Sequence, residues 1–165
     1  MKYKLIALLL LFTTYNFANS VNTGHADVSL IKYSANNSQA NEFFIGIRMD
    51  MQKNWHTYWK NPGDSGGPIK VSWNLPDGVT ISDIYWPTPK LIPYSPLMTY
   101  GYKDLVIFPF KITYEDFSQL KNISADIDFL ICDDICVPEK ALIDSTFEKI
   151  LYIKDLERGV NKIPD

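Results

Sequence analysis

With 165 residues, the chain is long enough for one ordinary domain with a sizeable core. Its 46% hydrophobic and 21% charged residues are typical of a globular protein and exclude a disordered one. The formal net charge of -3 provides no broad positive field, which argues against nucleic acid or an anionic membrane as the partner.

The first twenty residues have the pattern of a secretory signal peptide. Lys2 and Lys4 precede a short apolar run over residues 5–12, and the small residues Ala18 and Ser20 follow. A membrane anchor would need about twenty consecutive apolar residues, and this run is shorter. We therefore predict cleavage near Ser20 and a mature product in an oxidising, periplasmic compartment, where disulfides persist and where the chain has no membrane span of its own.

Two strands are predicted next. Residues 28–33 form a short apolar-rich run, and residues 43–51 alternate between apolar and other side chains. Every odd-numbered residue from Phe43 to Met51 is apolar, whereas Gly46, Arg48 and Asp50 lie between them. This period of two predicts a strand with one buried and one solvated face.

An aromatic segment over residues 55–66 follows and ends in turn residues. Such stretches most often fill a core, and a lone histidine such as His56 is more often structural than a proton shuttle. The functional alternative is that Tyr58 and Trp59, with Tyr100 and Tyr102 further along, shield a cysteine pair from indiscriminate thiols.

Further strands are predicted over residues 69–73, 79–85, 105–112, 123–131 and 141–147. Turn-rich stretches at residues 61–64 and 76–78 and a proline-punctuated run over residues 87–96 separate them. Helical periodicity is weak outside residues 114–120 and 154–160. We predict an all-β, immunoglobulin-like antiparallel sandwich over residues 21–150 and a frayed or linking tail over residues 151–165.

Two cysteines, Cys132 and Cys136, lie where the strand at residues 123–131 ends. This strand also alternates, with an apolar, inward row formed by every odd-numbered residue from Ile123 to Ile131 and with Ser124, Asp126 and Asp128 outside. Cys132 should therefore face the other side, toward solvent or a cleft. On one straight strand the two Cα atoms would be about 13 Å apart, too far for a disulfide. If residues 133–135 form a three-residue connection, the cysteines become hairpin neighbours at about 4.5–5.5 Å, within reach of a bridge.

One interpretation of such a bridge is purely structural, in which the disulfide only stabilises the fold. So small a loop constrains the unfolded chain by only about 2 kcal/mol, which weakens that interpretation. A tight bridge on an exposed turn is open to an attacking thiolate and favours thiol-disulfide exchange, which needs no bound cofactor.

A metal site formed by both cysteines with His25 and His56 is a weaker alternative. His25 lies in the segment expected to be flexible after the leader, and the two histidines lack a paired spacing, so we predict no metal.

Asp133 and Asp134 lie between the cysteines. Their negative charge disfavours thiolates, which predicts a pair poised as a reductant. Alternatively, both aspartates serve only as turn formers.

Four motifs occur in an order that resembles a known family: residues 55–66, Trp86-Pro87, Tyr100-Gly101-Tyr102 and residues 132–139. They resemble the N-terminal domain of DsbD-type protein-disulfide reductases, in the branch with a Cys-x-x-x-Cys pair, over residues 28–147. The resemblance implies a periplasmic immunoglobulin-like domain with Cys132 and Cys136 as its redox couple. It also implies that electrons come from a membrane-embedded carrier and a thioredoxin-like domain. Thioredoxin-fold acceptors, such as disulfide isomerases or cytochrome c maturation proteins, would receive them.

DsbD-type reductases continue into a multi-helix membrane domain and a thioredoxin-like domain, and neither follows in this sequence. We therefore expect a separately encoded membrane protein to supply the electrons. The alternatives are that the chain is a truncated remnant of such a reductase or has been adapted to another function. The competing class is a non-catalytic protein-binding sandwich whose bridge merely holds a loop.

Overall fold

The computed structural model describes residues 20–33, 41–94 and 96–152. The predicted signal peptide, except Ser20, and nearly all of the predicted tail, with its weak helical pattern, lie outside these ranges. Within them the chain forms strands and two short 3-10 turns, and no helix there is long and apolar enough to cross a membrane.

The strands in chain order are β1 (Ser20–Asn22), β2 (Ala26–Tyr33), β3 (Glu42–Met51), β4 (His56–Gly63), β5 (Lys70–Asn74), β6 (Val79–Ile81), β7 (Lys90–Tyr94), β8 (Leu97–Lys103), β9 (Leu105–Tyr114), β10 (Asn122–Cys132), β11 (Cys136–Thr146) and β12 (Leu151–Tyr152). The 3-10 turns are Phe117–Gln119 and Phe147–Lys149.

Two sheets pack face to face. The first has the order β1-β2-β3-β9-β6, with β12 beside β2, and the second has the order β11-β10-β4-β8-β7, with β5 beside β10. All these pairs are antiparallel except β12 with β2. The prediction of an all-β immunoglobulin-like sandwich is confirmed.

The two alternating segments supply the centre of the core. In β3, Ile45, Ile47 and Met49 are fully buried, as the alternation predicted. In β10, the odd-numbered residues from Ile123 to Ile131 are buried, and the even-numbered ones before Cys132 are more exposed. The period of two therefore identified the inward faces of both sheets correctly.

The proline-punctuated run differs from the prediction, because it contains the β7–β8 hairpin. Pro93 is tolerated there since β7 is the edge strand of its sheet, where one side of the backbone needs no ladder donor. The stretch at residues 61–64 also differs, because β4 continues to Gly63 with an irregular register after Tyr58.

Three predicted elements have different lengths. Strand β6 ends at Ile81, and only single backbone hydrogen bonds, from Ser82 to Lys111 and from Tyr85 to Pro109, continue along β9. The weak helical pattern near residues 114–120 becomes the single turn Phe117–Gln119, capped by the carboxylate of Asp116. Strand β11 begins at Cys136, five residues before the predicted start.

Candidate functional site at the Cys132–Cys136 disulfide

The two cysteines form a disulfide at the tip of the β10–β11 hairpin. Cys132 ends β10, Cys136 begins β11, and the two are directly paired. The Sγ–Sγ distance is 2.05 Å and the Cα–Cα distance is 4.1 Å, slightly less than expected for opposed neighbours. The predicted three-residue connection is present, and the backbone N–H of Asp133 donates to the carbonyl of Ile135 across it at 3.1 Å.

The two halves of the disulfide differ in exposure. Cys132 is only 2% exposed, so it faces neither solvent nor an open cleft, although it lies on the outer side of its sheet. Cys136 is exposed, and the neighbouring Ile135 is 66% exposed. Of the two cysteines, Cys136 is therefore the one that is open to solvent, whereas Cys132 is covered.

Tyr58 provides much of the polar surroundings of the sulfurs. Strand β4 pairs with β10 at His56 and Cys132, so Tyr58, two residues further on, lies on the same face. Its hydroxyl donates to the Sγ of Cys132 at 2.8 Å and lies 3.4 Å from the Sγ of Cys136. Tyr58 is 1% exposed, so its hydroxyl is a buried hydrogen-bond donor held against the sulfurs.

A glycine turn covers the Tyr58 ring. Gly66 has a φ of 87°, and a Cβ at this position would lie 2.2 Å from ring carbons of Tyr58. Pro68 then forms a parallel bridge with Tyr58. Glycine at position 66 is therefore required both by its backbone conformation and by the closeness of the ring.

His56 lies edge-on to Tyr58, with 5.3 Å between the ring centroids. Burial lowers the pKa of His56, and the positive charge of Lys103, its partner on β8, lowers it further. The carboxylate of Asp133 acts in the opposite direction. At neutral pH the imidazole is therefore uncharged, and the tip of the hairpin and the start of β4 influence each other electrostatically.

The comparisons with known proteins concern the family and the fold. The model of the N-terminal region of thiol:disulfide interchange protein DsbD matches residues 26–148. This chain belongs to that family. No curated protein sequence matches the chain.

This DsbD N-terminal family member has a fold similar to that of the N-terminal periplasmic domain of ScsB from Proteus mirabilis, whose crystal structure is known. The TM-score is 0.60 at 18% sequence identity, and the match covers 79% of this chain and 51% of that one. The chain thus spans about half the length of the ScsB domain.

The other predicted aromatic residues lie in two places in this DsbD-family chain. Trp59 and Tyr100 form an edge-to-face pair at 6.3 Å, and the Lys60 ammonium lies over the Trp59 ring at 5.3 Å. The structure does not bring Tyr102 to the disulfide. Its ring points into the core against Phe108, its hydroxyl donates to the Pro87 carbonyl at 2.8 Å, and burial raises its pKa.

Sequence reasoning missed two residues that contact each other, His25 and Glu139. His25 does not lie in a free segment, because its ring stacks on Trp55 and its Nδ1 lies 2.5 Å from Glu139. Glu139 was not identified as notable, although it occupies the same face of β11 as the buried Ala141 and Ile143. A charged residue in an apolar period-two row was the available signal.

Proposed function

We propose that this chain is a periplasmic domain for thiol-disulfide exchange. It passes reducing equivalents from a membrane electron carrier to thioredoxin-fold acceptors, such as disulfide isomerases or cytochrome c maturation proteins. The observation that carries the proposal is the asymmetry of the disulfide, in which Cys136 is an exposed residue and Cys132 is buried beside a tyrosine hydroxyl. The family membership supports the same chemistry.

Reduction of the domain begins at the exposed cysteine, Cys136. A thiolate of the donor attacks the Sγ of Cys136, a bond forms between the two sulfurs, and the bond to Cys132 breaks. The electron pair of that bond stays on Cys132, which leaves as a thiolate. The hydroxyl of Tyr58, 2.8 Å from this sulfur, stabilises the developing charge by hydrogen bonding.

A second donor thiolate completes the reduction. It attacks the donor sulfur of the mixed disulfide and releases Cys136 as a thiolate, so the donor becomes a disulfide and the domain a dithiol after proton uptake. Delivery follows the same path in reverse. Cys136 attacks the acceptor disulfide, and Cys132 then attacks the Sγ of Cys136, which releases the reduced acceptor and restores the bridge.

The direction of transfer is supported by charge. Asp133 and Asp134 lie in the connection between the cysteines, and their negative charges disfavour thiolates. A pair with less stable thiolates gives up its electrons more readily, which suits a reductant. The periplasmic location rests on the predicted leader, and the similar ScsB domain is itself described as periplasmic.

Single-cysteine variants test the function. Cys132→Ser and Cys136→Ser are each incubated with glutathione disulfide and, separately, with an oxidised thioredoxin-fold disulfide isomerase. We expect Cys132→Ser, which keeps the exposed cysteine, to form mixed disulfides about tenfold faster than Cys136→Ser. Non-reducing gels and intact mass measure the adducts. Adducts with neither variant would contradict the exchange function and favour a binding module, and equal rates would contradict the assigned order of attack.

A further inference from the structure

We propose that His25 and Glu139 are positioning residues for the cysteine pair. They fasten the start of β11 to the chain segment before β2, and so keep the two thiols of the reduced form close enough to re-form the bridge. The inference rests on the proposed function and adds to it a pair of residues that do not touch the sulfurs.

Glu139 is a buried carboxylate with both oxygens bonded. Its side chain is 5% exposed, one oxygen lies 2.5 Å from the Nδ1 of His25, and the other accepts a hydrogen bond from the hydroxyl of Thr23. A buried carboxylate is strongly unfavourable without such partners. The hydrogen bonds of Glu139 therefore fix the position of β11 relative to residues 23–25.

Residues 23–25 are also fastened to the segment that leads into β4. The His25 ring stacks on Trp55 with 3.7 Å between centroids, and Trp55 directly precedes His56, the residue paired with Cys132. The backbone N–H of Gln52 donates to the His25 carbonyl at 2.9 Å, and its side chain donates to the Gly24 carbonyl at 2.6 Å. Residues 23–25 thus contact Glu139, three residues after Cys136, and Trp55, which directly precedes the residue paired with Cys132.

The start of β11 depends on such a contact once the bridge is open. Strand β11 is at the edge of its sheet, so the β10 ladder holds it from one side. Pro138, between Cys136 and Glu139, has no N–H and contributes no donor to that ladder. With the disulfide reduced, Cys136 still has the Tyr58 hydroxyl 3.4 Å from its Sγ, and Val137 packs against the core. The contacts of Glu139, three residues after Cys136, tie this part of β11 to residues 23–25 as well.

The equilibrium constant for forming the Cys132–Cys136 disulfide tests this positioning role. It measures the effective concentration of one thiol at the other, which falls when Cys136 is held less firmly. Glu139→Ala and His25→Ala are equilibrated in glutathione redox buffers and compared with Lys140→Ala. Lys140 is the next residue on β11 and contacts Asp126 at 2.9 Å on the outer side, so its removal perturbs the same hairpin without touching residues 23–25. A second readout is the rate at which Cys132 displaces glutathione from Cys136.

We expect Glu139→Ala to lower the equilibrium constant and the displacement rate about tenfold, His25→Ala to lower them about threefold, and Lys140→Ala to leave both within about twofold. If Glu139→Ala does not fold, as judged by near-ultraviolet circular dichroism, His25→Ala decides alone, since this histidine is partly exposed. Wild-type values for all variants would overturn the positioning role while leaving the exchange function intact. A wild-type disulfide that does not exchange with glutathione would instead refute the function.

Discussion

Tyr58→Phe tests the role of the hydroxyl beside the sulfurs. The substitution keeps the buried ring but removes the donor 2.8 Å from the Sγ of Cys132. A hydrogen bond to a charged group contributes about 1.5–3 kcal/mol. About half of the thiolate charge has developed in the transition state, so the substitution removes about 0.7–1.5 kcal/mol of transition-state stabilisation. We expect reduction of the disulfide to slow about 3- to 12-fold.

The assay is stopped-flow tryptophan fluorescence with excess dithiothreitol, which yields the second-order rate constant for opening the bridge. Tyr102→Phe is the matched control, since it also removes a buried tyrosine hydroxyl from the second sheet, but one that donates to the Pro87 carbonyl in the core. It should cost about 1–3 kcal/mol of stability because that carbonyl loses its partner, and leave the rate unchanged. If Tyr58→Phe is reduced at the wild-type rate, the hydroxyl does not stabilise the leaving sulfur.

Two further predictions concern stability. Gly66→Ala should destabilise the fold by about 1–3 kcal/mol in urea unfolding, because of the φ of 87° and the 2.2 Å approach to the Tyr58 ring. Gly67→Ala, whose Cβ would lie 3.8 Å from Leu130, should be nearly neutral, and equal losses in the two variants would contradict this account. The pKa of His56 is lowered in the folded state, so the unfolded chain takes up a proton below about pH 6.5 that the folded chain does not, and stability falls as the pH drops from there. His56→Gln should therefore lose less stability than wild type between pH 7.5 and 5.5 in urea titrations, and parallel losses would exclude His56 as the cause.

The alternation of apolar and polar residues predicted those features that depend on the sequence of a single strand. The inward rows of β3 and β10 follow from a period of two, and the hairpin at Cys132 and Cys136 follows from the distance that a disulfide requires. The β7–β8 hairpin was missed because prolines indicate turns locally, whereas tolerance of Pro93 depends on the position of β7 at a sheet edge.

The surroundings of the disulfide depend on contacts between distant parts of the chain. Tyr58 reaches the sulfurs only because β4 pairs with the last residue of β10, and Tyr102 is directed into the core by the register of β8. Glu139 and His25 are 114 positions apart in sequence. Residue type and spacing do not show which distant residues meet, so the sequence grouped Tyr102 with Tyr58 and did not pair Glu139 with His25.

Eleven consecutive residue pairs join β10 and β11, and the cysteines are the last of them. Opening the bridge therefore frees only the tip of this ladder, and we expect the other ten pairs to keep the sandwich in the same shape when the cysteines are reduced. On the proposed function, a partner protein would then meet almost the same surface of this domain before and after the exchange. Release of that partner would then depend on cleavage of the intermolecular disulfide, because we expect no change of shape in the domain that could expel it.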